Sequence, residues 1–215
     1  MVRAILELTR RGALGMVLAV ALLASIGGDA RAQPSDAEAV VQDLAQQVWA
    51  LLERPDLDAH SRLDELAGVL ESKTDVDLLS RLVLGRYWRR VSDEQRTGYQ
   101  ELFRAVVMRD LAMRLDRYAS DASGSVEEHF RVVEASRVSD DDVVVRSTVI
   151  PETGKPVTVD WRLRQRPDGP VIIDLVIEGV SLLVSQRSEF ASVIERSDMD
   201  GFLAELRARA QSSKS

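Results

Sequence analysis

The sequence predicts an α+β fold: a run of helices, a four-stranded antiparallel sheet, and closing helices, with helices packed on one face of a curved sheet. Three observations carry this. From Ser35 to Tyr118 apolar residues recur at helical spacing. From Glu128 to Ile177 the period becomes two, and the connections are short enough to be hairpins. After Gly179 the helical spacing returns.

The chain has 215 residues, no cysteine and a formal charge of −7. That length supports a real hydrophobic core. The lack of cysteine excludes a disulfide framework, a thiolate metal site and a lipid-modified amino-terminal cysteine. Residues 1–32 read as a cleavable signal peptide and 33–215 as a single domain. Arg3, Arg10 and Arg11 form a basic start, and Gly12 to Ile26 is an apolar run. The run is short of the ~20 residues of a spanning helix. Ala30-Arg31-Ala32 is a small-x-small cleavage site. An uncleaved anchor is the alternative. Thr9 to Leu14 partly resembles a twin-arginine signal, without its usual phenylalanine and lysine, so both export routes stay open. Removal of this segment takes away Arg3, Arg10, Arg11, Arg31, Glu7 and Asp29, leaving a body two charges more negative. Such a body should not adsorb to nucleic acid or anionic lipid through bulk charge.

Ser35-Asp36-Ala37-Glu38 is a capping-box signature for the first helix, with Val41, Leu44, Val48, Leu51 and Leu52 inward and Pro55 ending the run. A second helix is expected at 61–71, with Leu63, Leu66, Val69 and Leu70 inward. A third runs from Thr74, capped by Thr74-x-x-Asp77, to Leu84, where Gly85 supplies a left-handed stop. Ser92-Asp93-Glu94-Gln95 opens a long fourth helix with an apolar stripe of Tyr99, Leu102, Phe103, Val106, Val107, Leu111, Leu115 and Tyr118. Ser120 to Ser125 break it.

Strands are expected at 129–138, 142–150, 156–166 and 170–177, with turns at Asp140-Asp141-Asp142, Glu152-Thr153-Gly154-Lys155 and Pro167-Asp168-Gly169. Alternation places Val143, Val145, Ser147 and Val149 inward, together with Val157, Val159, Trp161 and Leu163. Arg146, Thr158, Asp160, Arg162 and Arg164 point to water. The closing helices are 181–194 and 200–209.

Chemistry-bearing motifs are few. No Walker loop, G-x-G-x-x-G or H-E-x-x-H occurs. His60 and His129 sit in polar sequence and read as solvated surface residues. Gly179-Val180-Ser181 lacks the second glycine of a nucleophile elbow, so Ser181 reads as a helix cap. Asp174 and Glu178 could in principle do acid–base work. The plainer reading is that they bond turn N–H groups or pair with arginines. Asp140 to Asp142 reads as a solvated turn, since other calcium ligands are missing.

Two stretches carry a family resemblance. One is Leu84-Gly85-Arg86-Tyr87-Trp88 within Leu78 to Arg96, continuing through Tyr99 to Phe103. The other is Glu178-Gly179-Val180-Ser181-Leu182 within Asp174 to Leu182, followed by Gln186 to Phe190 and Asp200 to Leu206. In order and spacing they resemble the MlaC, or toluene-tolerance, family of periplasmic phospholipid-binding proteins. The resemblance implies a twisted sheet wrapped by helices, with an apolar cavity between them for acyl chains. It implies no catalytic residue and no cofactor beyond a bound lipid. Its partners would be an inner-membrane ABC transporter complex and an outer-membrane lipoprotein–porin complex. The expected lining is Val143, Val145, Val149, Val157, Val159, Trp161 and Leu163 from the sheet. Phe103, Val106, Val107, Leu111 and Leu115 would come from the long helix. The same residues could equally fill one another's space as a core. Tyr87 and Trp88 are expected to pack. The functional expectation is a periplasmic lipid carrier. A hopanoid-binding accessory protein of the same fold and a small periplasmic hydrolase are the alternatives.

Overall fold

A computed structural model describes residues 33–119, 124–152 and 154–212. The expected signal peptide, 1–32, lies outside them, as do the side chain of Tyr118, most of the expected break after it, and Thr153.

Helix α1 spans Pro34–Leu52 and buries Ala37, Val41, Leu44 and Leu51. Its start corrects the expected capping box. The helix begins two residues earlier, with Pro34 in the first turn, and Gln33 makes no side-chain cap. Proline suits that place because its missing N–H would have no helical partner there. Helix α2 (Ala59–Ser72) also starts early, because Asp58 accepts the Ser61 N–H at 2.8 Å. Helix α3 (Val76–Leu84) is capped by Asp75, which takes the Leu78 N–H at 2.9 Å, and not by Thr74. Gly85 stops it at φ +58°. A 3₁₀ turn, Gly85–Arg89, follows. In it Tyr87 and Trp88 are half-buried against the core, and Arg96 stacks over Trp88 with its guanidinium 4.9 Å from the ring centroid.

The long helix is interrupted. Helix α4 (Asp93–Phe103) opens with the expected Ser92–Gln95 capping box, both bonds 3.1 Å. A π-helical turn then occupies Arg104–Met108, and α5 runs Arg109–Ala119. Through the wider turn the buried residues run Phe103, Val106, Met108 and then Ala112. A regular 3.6-residue stripe passes over Met108 and Ala112, so the sequence pattern missed them.

A short α6 (Val126–His129) leads into the sheet. The strands are β1 (Phe130–Arg137), β2 (Asp142–Val149), β3 (Val157–Arg166), β4 (Gly169–Ile177) and β5 (Val180–Ser181), antiparallel and in chain order. The fifth strand was not expected. Its two residues pair with Val176 and Ile177 and are too few to show a period. Val143 pairs with Leu163, Val145 with Trp161, Ser147 with Val159 and Val149 with Val157, so these residues share one face as alternation requires. On the other face Arg146 bonds Asp160 and Glu134. Asp142 corrects an expectation: it is the first residue of β2 and buried, not part of a solvated turn. Arg162 and Arg164 enclose it with bonds of 2.6–3.1 Å and hold its carboxyl below the usual carboxylate range, Arg164 most of all.

Helix α1 lies over the sheet, against β1, β2 and β4, while α3 and α7 (Leu182–Ser212) reach β4. Helices α4 and α5 pack chiefly on α2 and α7. The helix over the sheet centre is therefore α1, whereas the long helix was expected there. Helix α7 is broken at Asp198 (φ +58°, ψ −172°), which gives the two expected closing helices. Asp198 caps the second by accepting the Gly201 N–H at 3.0 Å. Four buried rings, Tyr99, Phe103, Phe190 and Phe202, join α4 to α7 with centroids 4.8–6.4 Å apart. Burial pushes the Tyr99 hydroxyl far above its usual pKa, and it donates to the Ser80 carbonyl at 2.9 Å.

Candidate functional site

Among the described residues, two apolar cavities between the sheet and the helices stand out. The larger, about 170 Å³, is floored by Ile172, Ile173 and Leu175 of β4. Its walls are Leu79 and Val83 of α3, Phe103, Val107, Met108 and Leu111 around the π turn, and Leu182 and Leu183 of α7. Two features of the chain build it. Leu163 pairs with Ile172 and Arg162 with Asp174, so Ile173 is an extra residue in β4, and both isoleucines are buried and line the cavity. The π turn sets Val107 and Met108 side by side in the opposite wall. Thr74, Asp110, Arg114, Asp174, Ser185, Gln186 and Glu189 add polar groups.

The smaller cavity, about 110 Å³, lies among Leu44, Ala45, Val48, Trp49 and Leu52 of α1, Leu115, Val126, His129, Phe130, Val149, Ile150, Pro151 and Trp161. His129 is not the solvated residue expected. Its side chain is 11% exposed, stacks on Trp49 at 4.9 Å between centroids, and meets the Ile150 carbonyl through Nδ1 at 2.8 Å. Trp161 donates its indole N–H to Ser147 Oγ at 2.8 Å, and Ser147 donates to the Val159 carbonyl at 3.3 Å. The wall thereby contains no unpaired polar group from Trp161 or Ser147. His60 is exposed, beside Asp64 and Arg109, as its sequence suggested.

The candidate residues fall into three places. Phe103, Val107 and Leu111 stand in the larger cavity, and Leu115, Val149 and Trp161 in the smaller. Val143, Val145 and Leu163 are buried in the core cluster and line neither of these two cavities. Val106 and Val159 are likewise buried core, and Val157 is half-buried at the start of β3. The β4, α3 and α7 side chains of the larger cavity were missed. Their signal, the adjacent pair Ile172-Ile173, breaks strict alternation.

The arrangement offers little to bond chemistry. Asp174 accepts the N–H groups of Leu175 and Leu183 and the Ser181 hydroxyl at 2.6–3.0 Å, while Glu178 takes the Thr158 N–H. The Asp174 carboxylate serves the β4–α7 turn, and that of Glu178 ties the end of β4 to β3. Ser181 caps α7 by accepting the Val184 N–H at 3.0 Å. Among the described residues no cluster of three or more His, Asp or Glu could hold a metal, and no helix is long and apolar enough to cross a membrane.

Fold and site define the class: an α+β protein whose sheet and helices enclose apolar space. The chain belongs to the MlaC protein family, whose profile matches residues 42–208. Among solved structures it is similar to a phospholipid-binding protein from Ralstonia solanacearum, determined in complex with a phospholipid. The two share 27% identity and superpose with a TM-score of 0.69, over 84% of this chain and 99% of the other.

Proposed function

We propose that this protein is an exported carrier that binds the acyl chains of a phospholipid between its sheet and helices, and passes the lipid between membrane complexes without making or breaking a bond. The two apolar cavities carry the reading, in a chain whose 27% identical relative was solved with a phospholipid bound. Burial of the chains would supply affinity at about 0.8 kcal/mol per CH₂.

The cavities are smaller than the ~300–1,000 Å³ typical of ligand pockets. Lipid entry therefore requires the helices to part. Leu111 of the larger cavity and Leu115 of the smaller lie one turn apart on α5. Outward movement of α5 would join the two spaces into one groove. The π turn before α5 replaces regular helical bonding and is a natural point for that movement. Residues 1–32 would direct export to the periplasm, and docking on an inner-membrane ABC transporter complex and an outer-membrane lipoprotein–porin complex would hand the lipid on.

Mass spectrometry of lipids extracted from purified protein tests the reading. The expected result is phospholipid in near-stoichiometric amount. Hopanoid in its place would reassign the ligand, and protein that carries no lipid and extracts none from vesicles would refute the carrier.

A further inference from the structure

The larger cavity is apolar at its base and carries a cluster of charge at its edge. Asp110 and Arg114 stand one turn apart on α5, with Glu189 of α7 and Asp174 of β4 in the same lining. An aspartate and an arginine four residues apart on a helix are placed to pair. Here Asp110 is taken instead by Arg209 at 2.7 Å, which also bonds Glu189 at 3.3 Å. Asp174 already accepts its three bonds from the β4–α7 turn. Among the described residues Arg114 is thus left exposed, with no hydrogen bond or ion pair.

The charges at this edge are unequal. Three carboxylates face two guanidiniums, and only Arg114 is uncommitted. A purely anionic ligand would gain Arg114 but meet a surplus of negative charge. A head group with a phosphodiester and a cationic end satisfies both. Its phosphate would take the two-pronged guanidinium of Arg114. Its cation would face Asp110 and Glu189, which share the single Arg209. We infer that this edge is a head-group site for a zwitterionic phospholipid, with Arg114 as its phosphate-binding residue. The inference rests on the carrier reading and adds to it a ligand selectivity.

Binding of three probes with one oleoyl chain each tests this: lysophosphatidylethanolamine, oleate and monoolein, on delipidated wild-type protein and on Arg114→Gln and Arg114→Lys. Arg114 is exposed and has no partner among the described residues, so these variants should keep their melting temperature. Wild type is expected to bind lysophosphatidylethanolamine about five- to tenfold more tightly than monoolein, the range of one favourable charged contact at a partly wet site, and more tightly than oleate. Arg114→Gln should erase that margin with monoolein unchanged, and Arg114→Lys should keep part of it. A margin that survives Arg114→Gln, or equal weakening of all three probes, would overturn the assignment. Oleate binding as tightly as lysophosphatidylethanolamine in wild type would overturn the zwitterion. Failure of wild type to bind even monoolein would overturn the carrier reading, and the head-group site with it.

Discussion

Bulky substitutions at Val107 and Val145 separate cavity from core. Val107 borders the cavity of about 170 Å³, whereas Val145 is buried and lines neither cavity. A phenylalanine at 107 has somewhere to go. If its ring fills a third of that void, at roughly 24 cal/mol per Å³ the packing gain is about 1.4 kcal/mol, enough to offset modest strain. Val107→Phe should then melt within a few degrees of wild type and copurify with less than half the lipid. A tryptophan at 145 meets packed atoms beneath α1 and overpacks at a cost of about 3 kcal/mol. For a domain of this size that is a fall of roughly 6–12 °C, with the lipid content of the folded fraction unchanged. Thermal melting and lipid extraction on both variants provide the assay. The opposite pattern, normal melting with lipid lost at 145 and destabilisation with lipid retained at 107, would refute the placement of both residues.

Other perturbations follow from single contacts. Asp142→Asn removes a buried carboxylate between Arg162 and Arg164 and should cost about 1–3 kcal/mol, discounted because both arginines reach solvent. Since the folded-state pKa of Asp142 is depressed, its contribution is present above the unfolded value of about 3.9 and is lost as pH falls through the lower folded value. Melting curves between pH 7 and pH 2 should therefore show a shallower acid limb in Asp142→Asn than in wild type. Gly201→Ala would set a methyl 2.8 Å from Ser197 Cβ, and should destabilise by about 1–2 kcal/mol, with Ser197→Gly restoring most of it in the double variant. Tyr99→Phe leaves the Ser80 carbonyl without its side-chain donor and should cost about 1 kcal/mol by denaturant titration. Amino-terminal sequencing of the periplasmic fraction should begin near Gln33, and recovery of intact 1–32 would contradict cleavage.

The faces of β2 and β3 were legible because one side is apolar and the other charged, so a one-residue slip would have buried Arg146 and Arg162. The Ser92 cap and the Gly85 stop were legible because each uses a residue with few competing reasons to be there. The start at Pro34 and the cap at Asp75 were not, since Ser35 and Thr74 offered good capping chemistry close by. Of the cavity walls, part was legible. Phe103, Val107, Leu111, Leu115, Val149 and Trp161 stand in cavity walls. Val143, Val145 and Leu163 share the same apolar pattern but lie where α1 seals the sheet, and no periodicity records which helix covers which strand. His129 misled because its neighbours in sequence are polar, whereas its neighbour in space is Trp49.

The π turn at Arg104–Met108 amounts to a surplus residue in an otherwise regular helix. Removal of one residue from this turn would let the helix close up while Tyr99 and Leu115 kept their outlook. Removal of one residue from α4 or α5 proper would swing everything beyond it by about a quarter turn, given 3.6 residues per turn. Tolerance to single deletions should therefore peak sharply within these five positions. A deleted chain would keep the fold's outline, with Val107 and Met108 no longer crowded side by side into the cavity wall. Related sequences that lack this residue would then differ in the shape of their internal space while their sheets stayed alike.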